Sequence, residues 1–288
     1  MKRPPDFLCI GAQKAGTSWL FRMLKSVPGV FVPAIKELHF FSEKCSENNT
    51  DWVPLHRKNQ LEHVISYVNE NNETHAFNQR LIEQFDHLAK DPVDDDWYRG
   101  VFQYAHEHEV CGEICPTYMG MPAHGINDAL SINPSLKILV LIRDPIDRIW
   151  SQIRMRMAIS SDNINIDTLH RNPHKLRPFL KYGDYARSFP LWNTSKNEER
   201  FKTVLFDRIA IEPESVLREI LDYIGVPFPV ILPELNEPVL AGKPLALPPK
   251  LRAMLFDELQ PQYAFLHPYF PEQVEKWIEH HHTEMGRK

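Results

Sequence analysis

Lys14 is the residue around which chemistry could gather. It lies inside Gly11-x-x-x-x-Gly16-Thr17-Ser18, after the apolar run Phe7–Gly11 and before an amphipathic stretch. An apolar run, a glycine-spaced loop and a helix start together make a phosphate cradle. The first N–H groups of a helix lack intrahelical acceptors, and glycines let an anion approach them. In loops that hold a nucleoside triphosphate with magnesium, a lysine follows the second glycine. Thr17 stands there in this chain, and Lys14 is the nearby cation. Lys14, Ala15, Gly16, Thr17 and Ser18 therefore read as a site for a nucleotide carrying phosphate and a transferable group. Lys14 would sit beside the bond that breaks, and ordinary ATP chemistry is disfavoured.

Three further segments carry reactive side chains: Pro33-x-x-Lys36-Glu37-x-His39-Phe40-Phe41, Gly112-Glu113-x-x-Pro116-x-Tyr118, and Arg143-Asp144-Pro145-x-x-Arg148-x-x-Ser151. Each follows a short apolar run: residues 30–33, 109–115 and 137–142. The run KILVLI has the continuous apolar character of a buried parallel strand. Strands alternating with amphipathic helices predict an α/β fold with a central parallel sheet of four to five strands. Ligands of such sheets bind at the carboxyl ends of the strands, so the four segments belong on one rim if the strands are parallel neighbours. Helices are predicted at about 16–27, with Leu20, Phe21 and Leu24 inward, and over 58–70 and 76–90. Others follow from Asp144-Pro145 with Ile146, Ile149, Trp150, Ile153 and Met157 inward, then near 184–195, 213–225, 249–259 and 271–280. TVLFD, residues 203–207, reads as a strand, and 226–249 as a proline-rich surface loop. Residues 42–108 and 159–182 read as insertions covering the acceptor side.

Glu37 is the candidate general base for a hydroxyl acceptor, with His39 as its rival, because an unperturbed imidazole suits proton transfer at neutral pH. The competing reading makes His39 a packing residue before Phe40 and Phe41. Lys36, His39, Glu113 and Tyr118 are candidates to touch the acceptor, with a structural role for Glu113 and Tyr118 weighed equally. Asp144 reads as a helix cap, Lys243 as an exposed loop lysine, and Arg154 and Arg156 as a solvated helix face. His280, His281 and His282 read as a solvated helix end, so no metal site is expected.

Of the 288 residues, 43% are hydrophobic and 25% charged, with a net charge of −5. That is ordinary for a globular enzyme and unfavourable for nucleic acid. No apolar run approaches the roughly 20 residues that span a bilayer, and the beginning of the chain lacks a signal-like run. Cys9, Cys45, Cys111 and Cys115 form no CxxC pair. A cytoplasmic setting suits this, and a piece of a lumenal enzyme remains the alternative.

The motifs resemble those of sulfotransferases that use 3′-phosphoadenosine 5′-phosphosulfate (PAPS), closest in pattern to glycan O-sulfotransferases of heparan type and their bacterial relatives. The resemblance rests on Lys14-x-Gly16-Thr17-Ser18, on Arg143 with Ser151 eight positions on, and on the K-E-x-H-F-F segment. It also rests on GDYARSFPLW, TVLFD and EPESVLREILDYIGVPF, so that it runs from about residue 7 to 278. It implies a three-layer fold like that of P-loop nucleotide kinases, in one domain over residues 1–288. It further implies a 5′-phosphosulfate on the Lys14–Ser18 loop, a 3′-phosphate on Arg143 and Ser151, and Glu37 as catalytic carboxylate. The product would be adenosine 3′,5′-bisphosphate (PAP). In the glycan enzymes the third segment reads E-K-[ST]-P; here Ile114 and Cys115 stand in it, and Lys36 is the candidate substitute for the missing lysine. The acceptor stays open among a sugar hydroxyl (the first choice), a lipid headgroup, a polyketide-like chain and a small alcohol. A magnesium-dependent nucleotide kinase and a silent PAP-binding protein are the alternatives.

Overall fold

Phe7–Gly11 (β1) is buried at every position, as a strand must be when helices cover both faces of its sheet. The computed structural model describes residues 2–46, 50, 52–70, 76–90, 93–159, 166–171, 173–194, 198–229, 235 and 245–286. After β1 come Thr17–Ser26 (α1), Val30–Phe31 (β2), Phe40–Lys44 (α2), Trp52–Glu70 (α3), Ala76–Leu88 (α4) and Asp95–Val101 (α5). Val110–Ile114 (β3), Ala123–Ser131 (α6), Lys137–Ile142 (β4) and Pro145–Ile159 (α7) follow. Then come Ile166–Leu169 (α8), Arg177–Leu180 (α9), Tyr185–Trp192 (α10), Phe201–Leu205 (β5), Phe206–Ile211 (α11) and Pro213–Ile224 (α12). Pro249–Glu258 (α13), Gln260–Leu266 (α14) and Pro271–Glu284 (α15) close the described chain.

The sheet has the order β2-β3-β1-β4-β5, and every pairing is parallel. The condition set by the sequence is met: all five carboxyl ends share one rim. β1 is central, with Cys9 opposite Ile114 of β3 and Leu139 of β4. From β1 the chain goes to the edge with β2, returns beside β1 with β3, and then crosses to β4 and β5 on the other side, so the loop after β1 lies at the switch point where such sheets bind ligands.

The helix after β4 starts as its residues dictate. The Asp144 carboxylate accepts the Asp147 N–H at 2.8 Å, and Pro145 takes the first helical position, where a missing N–H costs nothing. Ile146, Ile149, Trp150 and Ile153 are buried beneath it, each contributing roughly 1.5–3 kcal/mol by leaving water. On α1 the inward stripe is Trp19, Leu20, Met23 and Leu24, with Phe21 only half-buried at its edge.

Two expectations along the chain need correction. The last strand ends at Leu205, and Phe206 and Asp207 of the expected TVLFD strand open α11. A helix not foreseen, α14, lies between the two terminal ones. Lys243 and much of 226–249 lie outside the described residues.

Candidate active site

The loop between β1 and α1 is tied down by its backbone. Ala12 N–H donates to Leu141 O of β4 at 2.9 Å, and Gln13 N–H donates to Tyr182 O at 3.2 Å. Gly16 stands before α1 with φ +94°, and no side chain caps the helix. Its first-turn N–H groups are thus left for an anion. A Cβ on Gly16 would lie 3.0 Å from both Ile209 and Phe206, so α11 closes against the loop as well. Lys14 has φ +70°, and its Nζ lies 3.7 Å from Met155 Sδ on α7.

Arg143 reaches the same loop from β4. Its guanidinium donates to Lys14 O at 2.9 Å and stacks over the Phe206 ring, 4.5 Å from the centroid. The buried Tyr185 hydroxyl fixes its backbone, accepting from Arg143 N–H at 3.1 Å and donating to Arg143 O at 3.0 Å. Ser151, half-buried, precedes Met155 by one turn on the same stripe of α7, the face turned toward Lys14. Arg148, 1% exposed, donates to Gln152 Oε1 at 2.9 Å and to Phe179 O. The end of the 159–182 segment therefore backs the anion loop.

Burial first, then Arg143, Lys36 and Arg154, lower the Lys14 pKa, with Glu37 opposing. Burial likewise lowers Arg143, with Asp147 and Asp144 opposing and Arg154 adding to the effect. Cations that depress one another form a pocket of excess positive charge, which an anion would relieve. Arg154 belongs to this pocket, a correction to its reading as part of a solvated face: it is half-buried and its charge is felt by both Lys14 and Arg143. Arg156 is exposed, as expected.

The second cluster lies on the turn after β2. Glu37 has φ +64° and His39 φ +59°, a left-handed backbone that costs of order 1–3 kcal/mol for such residues and collects at functional sites. Side chains from afar hold the turn. Leu38 N–H donates to Glu113 Oε1 at 3.0 Å, and Arg57 donates to Leu38 O at 3.1 Å and to Glu43 Oε2 at 2.6 Å. The Glu37 carboxylate pairs with Lys36 and lies 3.7 Å from His39 Nε2. Burial alone would raise the Glu37 pKa, but Lys36, His39 and His56 together hold it below the ordinary value, so the carboxylate is ionised. His39 is almost fully buried, and burial pushes its pKa down to about 4 against the pull of Glu37. Its Nδ1 lies 2.9 Å from Thr117 Oγ1 and 3.6 Å from Cys115 Sγ, the bonding of a packed imidazole. His56 and Trp52 on α3 stand edge-on to it, at 4.9 and 4.8 Å between ring centroids.

Glu113 and Tyr118 do not line an open acceptor wall. Both are buried, and Glu113 Oε2 accepts the hydroxyls of Tyr98 at 2.8 Å and Tyr118 at 2.9 Å. They act on the site through the Leu38 N–H. Tyr98 of α5 and Tyr118, both buried, close over the carboxylate and leave it no route to solvent. Burial raises the Glu113 pKa to about 7, against the three hydrogen-bond donors that favour its charge.

His281 also departs from its expected place, being fully buried rather than solvated. Its Nδ1 lies 2.7 Å from Arg252 NH1 and its Nε2 3.0 Å from Asp144 Oδ1. Arginine can only donate, so Nδ1 accepts and the ring proton on Nε2 points to Asp144. Asp144, Asp147 and His281 converge closely enough to hold an ion. Asp144 and His281 also serve one another, Arg252, the Asp147 N–H and the Tyr263 hydroxyl, 3.0 Å from Asp144 Oδ2.

Sequence reasoning missed Phe206, Tyr185 and the burial of His281. The Tyr185 signal was its place inside GDYARSFPLW; Phe206 offered none, since it continues an apolar run.

Comparison with known proteins gives this site a setting. The chain is similar to a sulfotransferase from Alicyclobacillus acidocaldarius, at 23% identity and a TM-score of 0.69 over 95% of this chain and 98% of that one. It is also similar to a sulfotransferase domain from the curacin biosynthetic pathway, at 17% identity and a TM-score of 0.53 over 80% and 77% of the two chains. At such identities the likeness is one of fold, the α/β fold of the P-loop type. No curated protein matches the chain. A family model described as the sulfotransferase family matches residues 5–230, well over half the chain. The chain belongs to the sulfotransferase family.

Proposed function

We propose that the chain transfers the sulfuryl group of PAPS to an acceptor hydroxyl, with a sugar as the first candidate, and releases PAP. One observation carries the reading: the Arg143 guanidinium lies on the carbonyl of Lys14. A cation suited to a 3′-phosphate and a helix N-terminus suited to a 5′-phosphosulfate thus sit within the reach of one nucleotide. Gly16, Thr17 and Ser18 supply the main-chain cup beside Ala15, whose N–H donates to Ala12 O at 3.2 Å, and Ser151 a hydroxyl on the facing helix.

Transfer forms a bond from the acceptor oxygen to sulfur and breaks the bond from sulfur to the 5′-phosphate oxygen. In-line geometry and stabilised oxygens matter most, as in phosphoryl transfer. Glu37, held ionised, takes the hydroxyl proton as the new bond forms. Lys14 offsets charge on the departing phosphate, and Lys36 stands beside both. His39 packs behind the turn and keeps its place. The chain's own cations supply the charge that the reaction needs. We read residues 1–288 as one domain, with α3 covering the acceptor side. Trp52 and His56, set against His39, support that placement.

Calorimetric titration with PAP and assay of labelled sulfate transfer from PAPS test the reading. Arg143→Ala should weaken PAP binding by about 10–100-fold, as expected for loss of a charge-assisted contact. Unchanged affinity refutes the role of Arg143. Transfer that survives a chelator separates this reaction from a magnesium-dependent kinase. Tight PAP binding without transfer to any hydroxyl would mark a silent binding protein.

A further inference from the structure

The C-terminal helix, beyond the 5–230 match to the family, grips the site at two points. Gln273, Trp277 and His281 recur every four residues along α15 and so form one stripe. Trp277 Nε1 donates to Asp207 Oδ1 at 3.2 Å, and Gln273 Nε2 reaches the same oxygen at 3.4 Å. His281 donates to Asp144 at 3.0 Å, with Arg252 of α13 and Tyr263 of α14 completing that network.

Each aspartate is the immediate neighbour of a residue that builds the nucleotide pocket. Asp144 follows Arg143, and Asp207 follows Phe206, the ring on which Arg143 stacks. Phe206 also closes against Gly16 of the anion loop. Moving either aspartate therefore moves the guanidinium, or the ring beneath it and the wall of the main-chain cup.

We propose that α15 is a positioning clamp for the nucleotide, in which Trp277 and His281 set the Arg143–Phe206 pair through Asp207 and Asp144. This rests on the reading of Arg143 as a nucleotide ligand. Trp277 and His281 touch no nucleotide; they are positioning residues. Coupling of this kind is reciprocal: if α15 sets nucleotide affinity, the nucleotide must stabilise α15.

The test uses the full chain with PAP as the probe, at a temperature where each variant is folded by circular dichroism. Trp277→Phe keeps an aromatic ring but removes the N–H together with the five-membered ring that carries it, and should weaken PAP about 3-fold. His281→Ala should weaken it about 10-fold, and His281→Gln, whose amide can still donate to Asp144, should recover most of that loss. In the unaltered protein, PAP should slow amide exchange across residues 277–285. A purely architectural helix predicts lower thermal midpoints with PAP affinity and α15 exchange unmoved, and that result overturns the clamp. If His281→Ala does not fold, Trp277→Phe and the exchange measurement decide. Arg143→Ala separates the two failures. If it leaves PAP affinity intact, the nucleotide reading falls; if it weakens PAP while the α15 variants do not, the clamp alone falls.

Discussion

The nucleotide end and the acceptor end of the site are built on different principles. At the nucleotide end, Lys14 and Arg143 follow β1 and β4, two strands that pair directly, with Cys9 opposite Leu139. Backbone hydrogen bonds and the hand of the fold bring them together. At the acceptor end, Glu37 follows β2, the edge strand on the far side of β3 from β1. It is carried back toward Lys14 by a left-handed turn that Glu113 and Arg57 hold from distant elements. The Lys14 loop should therefore keep its shape when its own charged side chains are truncated, and lose only charge. The acceptor end should lose geometry when one long-range bond is cut.

The largest expected effect tests the first half of that contrast. Lys14→Ala should reduce turnover by about 10³-fold, the scale of losing one preorganised charge-stabilising group. The loop should remain folded, because backbone bonds hold it. A comparable loss of thermal stability would erase the distinction between the two ends. Glu37→Gln should cost about 10²-fold or more in turnover if the carboxylate is the general base. Lys36, His39 and His56 hold the Glu37 pKa low against burial, so the base form persists as pH falls toward the ordinary value of 4.5. Transfer should accordingly survive acidification to that point. His39→Gln should retain far more activity, since burial leaves the imidazole a weak base with a pKa of about 4. The opposite pattern in the two variants would hand the proton to His39. Gly16→Ala should act less strongly, weakening PAP several-fold by forcing a side chain into φ +94° against Phe206 and Ile209. Unchanged affinity would show that the cup tolerates a Cβ.

The contrast also explains what the residues could reveal alone. Lys14, Gly16, Arg143 and the Asp144-Pro145 helix start were legible because their signals lie within a few residues of one another. The β4 run announced its own burial. Phe206 reads as strand because it extends an apolar run, and nothing local marks where that run turns into α11. Glu113 looked like a reactive carboxylate until Tyr98 and Tyr118 met it in the core, and Tyr98 lies fifteen positions away. Three consecutive histidines show no helical stripe. Only the four-residue spacing from Gln273 through Trp277 to His281 would have turned the middle one inward. What was missed depends on contacts between distant segments, which spacing does not encode.

The smallest effect probes the support beneath the acceptor end. An unfolded Glu113 ionises near 4.5, whereas burial raises it to about 7 in the fold. Between those values the folded state binds the extra proton, so the Glu113 contribution to stability is full below about 4.5 and is lost as pH rises toward 7. The whole loss is at most about 3 kcal/mol by linkage. Glu113→Gln cannot titrate, and its carbonyl can still accept the Leu38 N–H while the two tyrosine hydroxyls rotate to accept from its amide. Urea midpoints at pH 5 and pH 7.5 should therefore differ less in the variant than in the parent, with turnover within a few-fold. Equal pH dependence in the two proteins would mean that the three donors outweigh burial and keep Glu113 ionised throughout. The turn beneath Glu37 would then rest on a charged anchor, and the acceptor end would be as firmly fixed as the nucleotide end.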